Sequence, residues 1–313
     1  MNQYKRRRAM IILWGCIAAL ALCTAAVLGF LWWNTPEVGD VSIPGTRGEI
    51  PATVELPGKL SRGEEIPLAV LCHGFTGNRG GDTHFTQLAA DLAEQGIATV
   101  RMDFPGCGES TEPYTAYTLS NMAADVDSCI AYMQDTYNVT GPIVLVGHSM
   151  GGRLASLYPS MGNYPVDALV LWSPANGTGL QGLDFLNVED LSQVEAVAAE
   201  ALANGKAATK WNVEISDVFV QEMQSSDPNA ALREAGLPVL LTYAGHETLF
   251  LESTVSETIA AVESLPNSQV VLEPFVNGDH NYFGPTGKED PETPVMDAAL
   301  REVTVSFLTD ILK

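Results

Sequence analysis

The chain has 313 residues, of which 46% are hydrophobic and 17% are charged. This composition can bury a full core, which excludes a disordered chain. Acidic residues number 38 against 16 basic ones, and the formal net charge of −22 makes nucleic acid a poor partner because phosphate backbones are repelled. About 280 residues follow the N-terminal apolar segment, a length that favours one large domain over two small ones.

The N-terminus carries the pattern of a membrane anchor. Residues 9–33 are 25 positions without a charge, and a helix of that length at about 1.5 Å per residue exceeds about 30 Å of hydrocarbon. The basic residues 5–8 directly before it predict a cytoplasmic N-terminus (residues 1–8), a single-pass signal-anchor in the cell membrane and an extracytoplasmic location for the rest of the chain. The alternative is a cleaved signal peptide with a small-residue site at residues 24–26, which would give a secreted domain.

The remaining sequence predicts a short linker and one α/β domain. Residues 34–45 contain Pro and Gly and are predicted as a linker, and residues 46–313 as the folded domain. Strand patterns occur at residues 49–56, 66–71, 98–102, 143–146, 168–172, 239–243 and 269–272. Helical patterns occur at residues 85–95, 122–137, from 153, 253–264 and 295–312. This alternation predicts a mostly parallel sheet with helices on both faces.

One stretch, at about residues 176–235, interrupts the alternation. It carries helical patterns but no strand pattern. We call it the cap insertion and expect it to lie above the carboxyl ends of the strands, where ligands bind in α/β enzymes. The candidate apolar residues to line a substrate pocket are Phe185, Leu186, Trp211 and Phe219 of the cap insertion and Trp172 of the strand before it.

The strongest chemical signal is residues 147–152 (GHSMGG), which directly follow a predicted strand and precede a predicted helix. G-x-S-x-G alone is not rare in a chain with 28 glycines, but this placement is typical of a nucleophile elbow, where the turn lifts the serine hydroxyl clear of the sheet. Ser149 is therefore the candidate nucleophile. The Met150 N–H at the helix N-terminus is a candidate oxyanion donor.

Two further loops supply the other candidate groups. Residues 73–78 (HGFTGN) follow a predicted strand, and their glycines allow the main chain to turn toward the serine, which makes the Phe75 N–H the second candidate oxyanion donor. Residues 278–282 (GDHNY) follow the last predicted strand and place His280 where a general base is expected. The other four histidines, His73, His84, His148 and His246, are interpreted as structural.

The carboxylate that orients the base is predicted in residues 244–250 (AGHETLF), where Glu247 is the available acid. The chain order is then Ser149, Glu247 and His280, as expected for such an elbow. No His and carboxylate pairs fall at metal-ligand spacing, so no metal is predicted.

Four motifs in order carry a family resemblance: HGF, residues 103–110 (DFPGCGES), GHSMGG and GDH. With these motifs, residues 54–313 resemble the α/β-hydrolase superfamily, and are most similar to single-domain cinnamoyl or feruloyl esterases and serine aminopeptidase-like hydrolases. The resemblance implies an α/β-hydrolase fold and hydrolysis of a small-molecule carboxylic ester through an acyl-enzyme, with no cofactor. It leaves the oligomeric state open.

The sequence departs from this family at one position. Many relatives carry an aspartate where this chain has Thr248, and Glu247 stands one residue earlier. Asp184 and Glu252 are therefore alternative acids. Two other functions also stay open, namely a peptidase that uses the same triad and a catalytically inactive, anchored binding protein of the same fold.

Overall fold

The computed structural model describes residues 14, 17, 20–24, 27, 29, 35–59 and 65–312. The strands are β1 (Glu37–Pro44), β2 (Glu49–Leu56), β3 (Leu68–Cys72), β4 (Ala98–Met102), β5 (Ile143–His148), β6 (Ala168–Trp172), β7 (Lys206–Ala208), β8 (Glu214–Ser216), β9 (Val239–Thr242) and β10 (Gln269–Val271). The α-helices are α1 (His84–Glu94), α2 (Leu119–Tyr137), α3 (Met150–Met161), α4 (Leu191–Asn204), α5 (Asp217–Ser225), α6 (Pro228–Ala235), α7 (Glu252–Glu263) and α8 (Thr293–Ile311).

Within these residues the strands form one eight-stranded sheet in the order β1-β2-β4-β3-β5-β6-β9-β10 and a separate β7-β8 hairpin. β2 is antiparallel to β1 and β4, and the pairs from β4 through β10 are parallel. The predicted α/β architecture with a mostly parallel sheet is thus confirmed. The carboxyl ends of the parallel strands share one edge, and the loops that leave this edge can meet.

Helices cover both faces of the sheet because its central strands are apolar on both sides. Leu68 and Val70 of β3 pack in one core cluster with α2 and α3, and Ala69 and Leu71 pack in the other with α1 and α8. Side chains of successive strand residues point to opposite faces, so a continuous apolar run needs a layer of helices on each side.

Two predictions about irregular segments were wrong. The predicted linker at residues 34–45 contains β1, which pairs along its whole length with β2 and buries Ile43. The cap insertion, which lies between β6 and β9, was predicted to carry no strand, but it contains the β7-β8 hairpin in addition to helices. Each strand of that hairpin has three residues, too few for a recognisable alternation.

The predicted anchor at residues 9–33 lies largely outside the described residues, and the predicted cytoplasmic residues 1–8 lie wholly outside them. Among the residues that are described, none belongs to a helix long and apolar enough to span a bilayer.

Candidate active site

Ser149 occupies the turn between β5 and α3 in a strained backbone conformation. Its φ of 55° and ψ of −115° are unusual for a residue with a side chain. Glycines make this tight turn possible: a Cβ at Gly151 would lie 1.9 Å from Cys72 O, and one at Gly147 would lie 2.2 Å from Gly151 O. The Ser149 N–H donates to Trp172 O at 2.9 Å, which ties the elbow to β6.

His280 and Glu247 form a close, buried pair. Nδ1 of His280 lies 2.7 Å from Oε2 of Glu247, and their side chains are 7% and 6% exposed. Glu247 Oε1 accepts the Leu249 N–H at 2.9 Å, which fixes the carboxylate within its own loop. The two loops are also joined by their main chains, since the His246 N–H donates to Gly278 O at 2.9 Å.

The two alternative acids have other surroundings. Asp184 is buried in the cap insertion, where it accepts the Leu251 N–H and the Thr254 hydroxyl, each at 3.0 Å. Glu252 is exposed at the start of α7. Glu247 is thus the carboxylate in contact with the His280 ring.

Ser149 and His280 border one cavity of about 200 Å³. Between these two described residues there is no direct hydrogen bond in this structure, and such contacts commonly tighten when substrate binds. Of the apolar residues predicted as lining, Trp172, Phe185 and Trp211 border the cavity. Leu186 and Phe219 are instead buried in the core.

The two candidate oxyanion donors belong to segments that approach each other closely. The loop at residues 73–78 comes so near the elbow that a Cβ at Gly74 would lie 2.9 Å from Ser149 Cβ. The neighbouring Thr76 N–H is engaged with Tyr114 Oη at 3.1 Å. Within the described part of the chain, neither the Phe75 N–H nor the Met150 N–H donates to a protein acceptor. Both groups are therefore available to a ligand oxygen.

Two neutral histidines, the buried His73 and the partly buried His148, hold the loops around Ser149. His148 Nε2 lies 3.0 Å from His280 O, and burial, followed by the nearby His280, lowers the pKa of His148 to about 3. His73 Nε2 accepts the Phe104 N–H at 3.1 Å, and burial lowers the pKa of His73 to about 4. With Nε2 of His148 as a donor, the residue before the nucleophile is linked to the loop of the base.

No local sequence pattern predicts the contacts that His148 and His84 make with the loop of His280. His148 occupies the variable position of the elbow motif and His84 opens α1, so each has a simple local explanation. Their contacts with the His280 loop span 132 and 197 positions of chain.

Among the described residues, no cluster of three or more His, Cys, Asp or Glu is placed to hold a metal ion.

Comparison with known proteins gives a consistent assignment of the fold. The family described as alpha/beta hydrolase fold matches residues 67–205. Protein phosphatase methylesterase 1 of Schizosaccharomyces pombe is 26% identical over 156 residues, which are 49% of this chain and 46% of that protein. The match therefore spans about half of the relative's length.

Solved structures match over most of the chain. Est1E from Butyrivibrio proteoclasticus has a TM-score of 0.64 at 19% identity, over 86% of this chain and 99% of that chain. Its ferulic acid complex gives 0.65 at 20% identity over the same shares. The Pyrococcus furiosus esterase Pf2001 gives 0.61 at 17% identity, over 88% and 92%. The shared architecture shows that this chain has the α/β-hydrolase fold, as its motifs predicted.

Proposed function

We propose that this protein is a serine hydrolase that cleaves carboxylic esters. The observation that carries the proposal is the strained Ser149 in one cavity with His280, whose Nδ1 lies 2.7 Å from the Glu247 carboxylate. A nucleophile, a base and an acid that orients the base are the three parts that acyl transfer needs. The names of two similar proteins, an esterase and a methylesterase, support the same chemistry.

The proposed reaction proceeds through an acyl-enzyme. Ser149 Oγ attacks the ester carbonyl while His280 Nε2 takes its proton, and the oxyanion accepts hydrogen bonds from the Phe75 and Met150 N–H groups. His280 then protonates the leaving alcohol. A water molecule, deprotonated by His280, attacks the acyl group and releases the acid and free Ser149. The Glu247 carboxylate orients His280 and stabilises the imidazolium that forms there.

The cavity favours a small ester. Its volume of about 200 Å³ is below the size of typical drug-sized ligand pockets, which begin at about 300 Å³. Phe75, Phe185, Trp211 and Leu249 give one part of its wall an apolar surface. We therefore expect short or planar apolar acyl groups to react faster than long chains.

The esterase assignment is tested with a series of p-nitrophenyl esters, from acetate to longer acyl chains, on the full chain in detergent. Hydrolysis that disappears in Ser149→Ala supports the proposal. If no ester reacts, aminoacyl amides test the peptidase alternative. An inactive binding protein predicts, in addition, that Ser149 is not labelled by a fluorophosphonate.

We also propose that residues 9–33 anchor the protein in the cell membrane with the hydrolase domain on the extracytoplasmic side. The charge-free length of the segment supports this proposal. Its described residues are helical, and Trp14, Leu20, Leu22 and Val27 are more than half exposed, which suits contact with lipid. Membrane fractions washed with alkaline carbonate should retain the full chain and lose a chain without residues 1–35. A mature N-terminus near residue 26 would instead indicate signal cleavage.

A further inference from the structure

His84 has a hydrogen-bond acceptor on each of its ring nitrogens. Nδ1 lies 2.5 Å from Asp297 Oδ1, and Nε2 lies 2.9 Å from the Asn281 carbonyl oxygen. A carbonyl oxygen can only accept, so Nε2 donates to Asn281 O, and Nδ1 faces the Asp297 carboxylate. His84 is 6% exposed and Asp297 is 7% exposed, which makes this a buried pair.

The carboxylate of Asp297 is also held by Arg301. Arg301 Nε donates to Asp297 Oδ2 at 3.0 Å, and Arg301 also pairs with Asp91 of α1. Burial acts to raise the pKa of Asp297, but the hydrogen bonds from His84 and Arg301 outweigh it and leave this pKa below its ordinary value. The pair thus connects the start of α1 to α8, close to the loop of the base.

The turn that follows His280 is well defined and bears the carbonyl that His84 contacts. The Asp279 N–H donates to Phe283 O at 2.9 Å, and the Asn281 N–H donates to Asp279 Oδ1 at 2.8 Å. On the elbow side, His148 Nε2 holds the carbonyl of His280 itself at 3.0 Å. Two successive carbonyls are therefore held from two different elements of the fold.

We propose that His84 is a positioning residue for His280, in which the ring of His84, fixed by Asp297, holds the Asn281 carbonyl and so sets the direction of the His280 ring. This inference rests on the proposed function, because it assigns His280 the role of base. A displacement of about 1 Å at a base can lower a rate by about 100-fold. A buried pair that serves only stability would leave the chemical step unchanged in the folded protein.

The kinetic test uses the full chain in detergent and three variants. His84→Phe keeps a planar ring but removes both donors, His84→Gln keeps one neutral donor, and Asp297→Asn removes the carboxylate charge. Asp125→Asn is the matched control, since Asp125 is a buried carboxylate that pairs with Arg47 and does not border the cavity.

We expect kcat of His84→Phe to fall by about 10-fold to 100-fold with KM within about threefold, and His84→Gln to recover part of the loss. His84→Phe and Asp297→Asn should be non-additive when combined, because they remove one interaction. A kcat of His84→Phe within about twofold of the wild type, or an equal fall in Asp125→Asn, would overturn the proposal.

Amide hydrogen exchange separates this proposal from the esterase assignment, because it needs no turnover. In His84→Phe, the amides of residues 279–283 should exchange about 10-fold faster, with no such change in Asp125→Asn. Unchanged exchange in this segment contradicts the positioning role. If the wild type hydrolyses no ester, the proposed function fails. Faster exchange in His84→Phe would still show that His84 stabilises the turn at residues 279–283.

Discussion

Glu247 Oε2 lies 2.7 Å from His280 Nδ1, although Glu247 stands one residue before the position at which many resembling hydrolases carry their acid. The residue at that position, Thr248, is exposed. Glutamate is one methylene longer than aspartate, so its carboxylate reaches the ring from the earlier position. The Leu249 N–H, at 2.9 Å from Glu247 Oε1, fixes the orientation in which it does so.

The first prediction concerns this contact. Glu247→Gln removes the negative charge that stabilises the imidazolium and allows the wrong tautomer of His280, so kcat should fall by about 10³-fold to 10⁴-fold. Steady-state hydrolysis of the best p-nitrophenyl ester measures the effect. Glu252→Gln is the control, because Glu252 is exposed nearby, and it should stay within about twofold of the wild type. The opposite pattern would assign the acid elsewhere.

The second prediction concerns the close approach of the two oxyanion segments. In Gly74→Ala the new Cβ would lie 2.9 Å from Ser149 Cβ and 3.4 Å from His148 O, so the loop or the elbow must move. We expect kcat to fall by about 10-fold to 100-fold, and overpacking to cost about 1–3 kcal/mol of unfolding free energy.

Gly39→Ala is the matched control for this change. A Cβ at Gly39 meets no atom within 4 Å, and Gly39 lies on β1, away from the cavity. Its kcat should equal that of the wild type. Normal hydrolysis by Gly74→Ala would show that the spacing of these two segments is not critical.

The sequence predicts those parts of the fold whose pattern lies within one short segment of the chain. The bounds of β4 and β6 agree with the prediction, because β6 is a continuous apolar run and β4 alternates apolar residues with Thr99 and Arg101. β1 was not recognised, since its Pro and Gly resemble a linker and its pairing with β2 is what makes it a strand. Pairing is a property of two segments and leaves little trace in one.

The residues of the candidate site show the same dependence on local sequence patterns. Ser149 and His280 were predicted from local motifs, and the structure places both at one cavity. The contact between His84 and Asn281 joins positions 197 apart, and no short pattern encodes it. The acid is an intermediate case, because the loop was recognisable but the reach of Glu247 depends on the fold of that loop.

The third prediction is a loss of stability in acid. Burial lowers the pKa of His148 to about 3 and that of His73 to about 4. In the unfolded chain a histidine has its ordinary pKa of about 6.5. Below pH 6.5 the unfolded chain therefore binds protons at these two histidines that the folded protein does not bind, and this favours unfolding. This contribution to stability is complete above pH 6.5 and is lost as the pH falls toward 3. Between pH 6.5 and about pH 5, each histidine should lower the free energy of unfolding by about 2 kcal/mol.

Urea unfolding at these two pH values measures the loss. His148→Gln should show a smaller loss than the wild type, because an amide can donate to His280 O and does not titrate. An equal pH dependence in the variant and the wild type would mean that His148 is not kept neutral by the fold.

The fourth prediction has the opposite sign. Burial raises the pKa of Asp184 to about 6, and hydrogen bonds from Leu251 and Thr254 oppose this shift only in part. A carboxyl whose pKa is raised in the folded state stabilises the fold fully below its unfolded value of about 3.8, and this contribution is lost as the pH rises through about 6. An asparagine at position 184 does not titrate, so Asp184→Asn should not lose stability in this pH range as the wild type does.

The difference in unfolding free energy between Asp184→Asn and the wild type should therefore increase by about 2–3 kcal/mol, in favour of the variant, as the pH rises from about 4 to 7. Its amide oxygen can still accept from the Leu251 N–H and the Thr254 hydroxyl, so the link between the cap insertion and α7 is retained. Asp135→Asn, an exposed change on α2, should show no such gain. A constant difference between Asp184→Asn and the wild type at every pH would mean that Asp184 titrates alike in the folded and unfolded states, and that burial does not raise its pKa.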